Sequence, residues 1–399
     1  MNQEEVKRNV KLYKWFIVLV EPLFIGPTLI FYLQNVGKMS LSHIYIMEAV
    51  VVGGFVLLEV PSGALADLIG RKKTIFLGAF FQVISKVLLV LAISPIYVWI
   101  SNIFWMFSLS MRSGADSAFL YDSLKEAGRE EEYEKIQGRA FSYLLLAIAF
   151  CSLSAGFLSE IHLRLPFIVG LPGVIASCFV VLLFKEAPKT EKYSVKRQKE
   201  LLRLSWLFVK NHKKIKWIIA FATLIAVSSK VWFFSYNPYF ELVDFDLKYY
   251  GIMFFFFNII AWFFSRNAYN LEKKVGESFS IVSMILLIGM PIILMATFVS
   301  KIMVSMTFLQ NIVRGFRKPF IGGFLNRHIK DSSHRATVLS MESAAAGLAS
   351  FFALNLFGVA LKFWPLTFSL QVLGISVLII GTLLIIQYKK IFPKTKSPS

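Results

Sequence analysis

Long apolar runs recur along nearly the whole chain, each closed by a short polar or charged connection. The runs are about 18 to 25 residues long, enough for a helix to cross a hydrocarbon core of ~30 Å. They are continuous rather than alternating, so they predict helices and not the strands of an outer-membrane barrel. In the first half they extend from about Tyr13 to Gln34, Ser42 to Ser62, Thr74 to Ile93, Ile96 to Tyr121, Ala140 to Ser159 and Pro166 to Phe184. In the second half they extend from about Trp217 to Tyr236, Tyr249 to Phe264, Phe279 to Val299, Ile302 to Phe320, Thr337 to Leu361 and Pro365 to Ile386. The pattern predicts an all-α membrane protein of 12 transmembrane helices in two six-helix halves, residues 1–184 and 217–399, joined by a cytoplasmic linker, 185–216.

The connections add detail. In the linker, Leu201, Leu204 and Phe208 recur at helical spacing among Lys196, Arg197, Lys199, Arg203 and Lys210, which predicts a basic amphipathic helix on membrane lipids from Ser194 to Lys210. The charged stretch from Asp122 to Arg139 predicts a short solvated helix. Span 1 holds Glu21-Pro22 and Gly26-Pro27, and a proline lacks the amide hydrogen that bonds four residues back, so this span is expected to bend. Those prolines, Glu21 and the absence of a small-residue cleavage site argue against a signal peptide.

Charge narrows the reading further. A formal net charge of +19 would point to nucleic acid in a soluble chain, but most of the 43 Lys and Arg fall in alternate connections, on the side that carries both termini. That is the positive-inside pattern, with both termini cytoplasmic in a plasma (inner) membrane, and it needs no nucleic-acid partner. Cys151 and Cys178 both fall in apolar runs, as small buried thiols, and suggest neither a disulfide nor a metal site. No cofactor motif is present.

Between spans 2 and 3 lies Pro61-Ser62-Gly63-Ala64-Leu65-Ala66-Asp67-Leu68-Ile69-Gly70-Arg71-Lys72-Lys73-Thr74, whose charges must sit at a membrane face. The glycines are expected to allow close backbone approach, and Asp67 is available to helix N-terminal amides. Gly63-x-Leu65-x-Asp67-x-x-Gly70-Arg71-Lys72 resembles the motif between helices 2 and 3 of the major facilitator superfamily of secondary transporters. The resemblance implies a conformational latch of Gly63, Asp67, Gly70, Arg71 and Lys72, with Arg71 pairing an acid at the cytoplasmic end of helix 4, a role that Asp122 is placed to fill. It also implies that helices 1, 4, 7 and 10 line a central cavity.

Each of those four helices carries a charge: Glu21 in the first, Arg112 and Asp116 in the fourth, Lys230 in the seventh and Arg314 in the tenth. Ionisable groups at membrane depth are expensive, so each is a candidate for function. Spacing groups Glu21 with Thr28, Trp105 and Ser108 with Arg112 and Asp116, Thr223 with Lys230 and Asn237, and Gln310 with Arg314 and Arg317. Glu21 and Arg112 lie at similar depths, roughly 10 and 14 Å from the cytoplasmic ends of their spans. Together with Asp116 they are candidates for proton coupling, whereas Thr28, Trp105, Lys230, Asn237, Gln310 and Arg314 are candidates for the substrate cavity. A static buried ion pair that only fixes helix packing remains open. Lys86, in span 3, has no partner legible in the sequence.

The best-supported function is secondary transport of a small organic molecule by a monomer, using protons, through rocking of the two halves and in the direction of export. Helix 5 lacks the Gly-Pro pair usual in the superfamily's drug and proton antiporters. An uptake carrier or uniporter of the same fold, or a non-transporting sensor, stays open. An enzyme is disfavoured, since neither H-E-x-x-H nor G-x-S-x-G is present and the five histidines lie at or near span ends.

Overall fold

The computed structural model describes residues 1–187, 209–328 and 332–392. Among these, the chain is built of helices and short 3-10 turns, without strands. The expected amphipathic helix of the linker lies outside the described residues except at Val209 and Lys210.

Helices α1 (Gln3–Leu19), α2 (Leu29–Asn35), α3 (Leu41–Ile69), α4 (Arg71–Val90), α5 (Pro95–Arg112), α6 (Ala115–Lys125), α7 (Tyr133–Ile161) and α8 (Leu165–Leu182) come first. After the linker follow α9 (Lys213–Leu242), α10 (Leu247–Val275), α11 (Glu277–Thr297), α12 (Thr307–His328), α13 (Ser332–Ala360) and α14 (Leu366–Ile391). Local chemistry explains several starts. Asn2 and Glu5 close a capping box on α1, Ser40 accepts the His43 amide at the head of α3, and prolines stand in the first turn of α5 and α8, where no amide partner is lost.

Among the described residues, nine helices are long and apolar enough to cross a membrane. The expected spans that fall short are the first, fourth and tenth. Span 1 is not bent but broken, since α1 stops at Leu19 and a 3-10 turn, Gly26–Thr28, precedes α2. Span 4 is also broken, between α5 and α6, at Ser113 and Gly114, where the sequence pattern predicts an unbroken helix. Span 10 opens in a 3-10 turn, Lys301–Met306, and its helix, α12, carries Arg314, Arg317 and Lys318 within the expected bounds. Each of these three carries an ionisable group within its apolar run, Glu21, Arg112 or Arg314.

Two further expectations change. The predicted turn from Pro61 to Thr74 shrinks to one residue, because α3 runs through Pro61 to Ile69 and α4 begins at Arg71. The expected solvated helix after Asp122 is absorbed by its neighbours, α6 extending to Lys125 and α7 starting at Tyr133, with a 3-10 turn at Glu130–Glu132 between them.

The chain divides into two compact units, Met1–Ser194 with Phe245–Ile259, and Val195–Asp244 with Ile260–Ser399. Within the first, α1 packs on α7 and α8, and α4 on α5 and α8; within the second, α9 packs on α13 and α14, and α11 on α12 and α14. The same scheme of pairing thus recurs in both. Phe16, Val20, Ala79, Phe119, Val181 and Phe184 form one buried cluster, in which the rings of Phe119 and Phe184 stack at 4.3 Å.

Candidate functional site

In the first unit, the broken helices deliver charge to one place. Glu21 lies in the non-helical stretch after α1, and Arg112 is the last residue of α5. Arg112 Nη1 and Nη2 donate to Glu21 Oε1 at 3.1 and 3.0 Å. The breaks favour the charges locally, since a cation at a helix C-terminus and an acid in a first turn both complement the helix dipole. Arg112 has the first position and Asp116, in the first turn of α6, has the second. Gly114, at φ +75°, makes the corner between them, a conformation most side chains resist. Asp116 Oδ1 accepts the Ser117 amide at 2.5 Å and its hydroxyl at 3.1 Å.

Helix α4 forms the wall beside this pair. A Cβ on Gly78 would lie 2.6 Å from Arg112 Cγ, so the glycine makes the room that the arginine occupies. Two turns on, Lys86 is buried with Nζ 5.2 Å from the ring centre of Trp105, a cation–π contact. Lys86 is also within electrostatic reach of Glu21, Glu48 and Arg112. Around it, both side-chain polar atoms of Gln82, the indole nitrogen of Trp105, the Ser108 hydroxyl and Arg112 Nε are buried and find no hydrogen-bond partner among the described residues. Buried polar atoms are nearly always satisfied, so this ribbon of α4 and α5 is equipped for water or a polar ligand.

The membrane-face turn is a second constellation of the same unit. Arg71 Nε pairs with Asp122 Oδ2 at 2.6 Å. Glu186 Oε1 accepts the Arg71 amide at 2.5 Å, placing a carboxylate on the N-terminus of α4. Lys72 Nζ donates to the carbonyls of Leu182 and Phe184, both at 2.7 Å, and so caps the end of α8. Gly70 has φ +102°, and a Cβ there would meet the Glu186 carboxylate at 2.8 Å. Close approach holds for Gly70 and not for Gly63, where a Cβ would meet nothing within 4 Å among the described residues. Asp67 is half-buried in the last turn of α3.

In the second unit, Asn311 Nδ2 donates to the Tyr236 hydroxyl at 3.2 Å, and Arg314 lies within electrostatic reach of that tyrosine. Gln310 is buried, and both its side-chain polar atoms lack hydrogen-bond partners among the described residues, as does the indole nitrogen of the fully buried Trp232. Asn237 is buried one residue beyond Tyr236, while Lys230 sits half-buried two turns earlier on α9. Arg317 is within electrostatic reach of Glu342.

A sequence model of the Major Facilitator Superfamily matches residues 16–299. The chain belongs to that superfamily. It is 21% identical over 350 residues to an uncharacterized MFS-type transporter, YxaM, of Bacillus subtilis (strain 168), spanning 84% of this chain and 85% of that one. The fold is similar to crystal structures of the nucleoside transporter NupG (TM-score 0.74, 14% identity, 99% of this chain and 100% of that) and of a D-xylose-proton symporter (TM-score 0.71, 15% identity, 99% and 98%). It is a multi-pass membrane protein and a secondary transporter of the major facilitator type.

For this transporter the structure brings together Glu21 and Arg112, Arg71 and Asp122, and Trp105 with Lys86. It does not group Thr28 with Glu21. The helix is broken between them, and Thr28 is fully buried, accepting a hydrogen bond from Ser159 at 3.1 Å. Sequence reasoning missed Gly78, Gln82, Tyr236, Asn311 and Glu186. The signal for Glu186 was an acid directly after an apolar run; for Gly114 it was a glycine two residues beyond a buried arginine.

Proposed function

We propose that this transporter exports a small organic molecule from the cytoplasm in exchange for protons, working by alternating access as a monomer in the plasma membrane, with Glu21, Arg112 and Asp116 as its coupling centre. One observation carries the reading: Glu21 and Arg112 form an ion pair where two membrane helices are interrupted. Glu21 is the more exposed partner, with 31% of its side chain accessible against 7% for Arg112. A proton can therefore reach the carboxylate, and once it is neutral Arg112 loses its counter-charge at a depth where an unpaired cation is costly. Separation and re-pairing of the two supply a two-state element that protonation biases.

Substrate polar groups are expected to meet the unsatisfied donors and acceptors near Trp105 in one unit and near Gln310 in the other. Arg317 at the helix end aside, the four charged helices of the expected cavity carry Arg112, Lys230 and Arg314 against Glu21 and Asp116, a surplus of one positive charge that favours anionic or amphipathic molecules.

The test is lumenal pH in proteoliposomes during addition of a panel of organic cations, anions and zwitterions. Substrate-dependent proton flux in native protein, lost in Glu21→Gln, supports the proposal. Proton and substrate moving in the same direction would make it an uptake carrier. Counterflow of labelled substrate without any proton flux would make it a uniporter and return the ion pair to a structural role.

A further inference from the structure

In the second unit, α9, α13 and α14 enclose an open groove of about 580 Å³, within the range of small-molecule sites. Its wall is almost wholly apolar, with Ile219, Leu224 and Val227 from α9, Ala345 from α13 and Ile380 from α14. Two cations, Lys210 and Lys216, line it at one end, and both are exposed. We propose that this groove holds one acyl chain of an anionic phospholipid from the cytoplasmic leaflet, with the headgroup phosphate between Lys210 and Lys216.

Length and charge carry the assignment. From Lys216 to Val227, α9 rises roughly 16 Å, at about 1.5 Å per residue. That is about half of a ~30 Å hydrocarbon core, or one leaflet. An occupant must therefore be apolar for one leaflet's depth and negative where the leaflet meets the cytosol. Lys389 and Lys390, in the last turn of α14, add positive charge at that end of the helix. Anionic headgroups are attracted to such clusters of lysine at the cytoplasmic face, and a zwitterionic lipid lacks the net charge to be selected by them. The apolar wall accounts for retention of the chain, since each methylene withdrawn from water adds to binding.

The experiment uses full-length protein carrying the photo-reactive residue benzoylphenylalanine at Leu224. It is reconstituted into phosphatidylcholine bilayers that contain a minor fraction of phosphatidylglycerol. A second protein carries the same group at Phe352, which is exposed on α13 and samples bulk lipid. After illumination, intact mass identifies what has been captured. At Leu224, the ratio of phosphatidylglycerol to phosphatidylcholine adducts should exceed that of the bilayer by roughly thirtyfold, given two lysines at the surface, and at Phe352 it should match it. Lys210→Gln with Lys216→Gln should return the Leu224 ratio to that of the bilayer, and Ala220→Trp, which fills the groove, should suppress capture of either lipid there. Equal ratios at Leu224 and Phe352 would overturn the proposal. A cross-link within the chain to residues 188–208 would overturn it too, by making the linker the occupant.

Discussion

Arg112 holds Glu21 through a single carboxylate oxygen, Oε1, with two guanidinium nitrogens at 3.1 and 3.0 Å. Removing only the acid leaves a buried cation unpaired, which costs about 3–5 kcal/mol at fully buried sites and less here because Glu21 is partly exposed. Glu21→Gln should therefore lower the melting temperature of the purified transporter, as seen in a thermal unfolding assay. The double variant Glu21→Gln, Arg112→Gln should recover most of that loss, since neither charge remains. It should not recover proton-coupled flux. Recovery of flux together with stability would show that the pair only packs the helices.

Gly70 and Gly276 stand at equivalent corners, α3 to α4 and α10 to α11, with φ of +102° and +86°. A non-glycine residue in this region costs on the order of 1–3 kcal/mol. At Gly276 a Cβ would meet nothing within 4 Å among the described residues, whereas at Gly70 it would strike the carboxylate that caps α4. Both alanine variants should be less stable than the native protein. Gly70→Ala should be the worse, by about 1 kcal/mol or more from the lost hydrogen bonds of the Arg71 and Lys72 amides to Glu186. Thermal melts of the two variants side by side decide it, and equal losses would mean that the capping carboxylate adds nothing.

Much of this was legible in the sequence, and the reason is physical. Lipid offers no partners for the backbone, so apolar length dictates helices wherever the chain is regular, as from Glu277 to Thr297. The motif from Gly63 to Lys72 likewise marked the turn and Arg71. What stayed hidden depends on tertiary approach. Gly78 reads as an ordinary small residue until Arg112 lies against it. Glu186 sits 115 residues from its partner Arg71, and nothing local distinguishes it from a linker acid. The break at Gly114 was masked by the four-residue spacing of Ser108, Arg112 and Asp116, because periodicity reports which residues share a face and not whether the helix continues through them.

Lys185, at the start of the linker, is fastened to α1 by an ion pair and two hydrogen bonds. Lys185 pairs with Glu5 while Asn9 accepts the Lys185 amide at 3.1 Å and donates to its carbonyl at 2.7 Å. The hydrogen bond from Lys185, followed by that from the Asn2 amide, holds the Glu5 carboxyl below its ordinary value of 4.5. A carboxyl with a lowered folded-state pKa stabilises the fold above its ordinary value, and the contribution is lost as pH falls through the lowered one. The difference in melting temperature between native protein and Glu5→Gln should thus be present at neutral pH and narrow steadily below pH 4.5. Asn9, which does not titrate, makes the contrast: Asn9→Ala should destabilise equally at both ends of the range. A Glu5→Gln gap that persists unchanged into acid would mean that the ion pair has no part in fastening the linker.

Arg71 and Asp122 join the first turn of α4 to the last turn of α6 at 2.6 Å, and both side chains are about one-third exposed, 31% and 30%. A pair so exposed contributes roughly 0–1 kcal/mol to stability, so either single reversal, Arg71→Asp or Asp122→Arg, should leave the melting temperature nearly unchanged. Transport is expected to be more sensitive. Each single reversal sets two like charges against each other across this gap. Substrate flux in proteoliposomes should then fall by about tenfold, the equivalent of 1.4 kcal/mol in the balance of conformations. The exchanged double variant, Arg71→Asp with Asp122→Arg, restores attraction across the same gap and should regain most of the flux. The backbone amide at position 71 still meets Glu186 in every variant, so the cap of α4 is kept and the comparison isolates the side-chain pair. Flux that stays low in the exchanged variant would show that the guanidinium is needed at position 71 itself, and that charge pairing alone does not account for the part these residues play in transport.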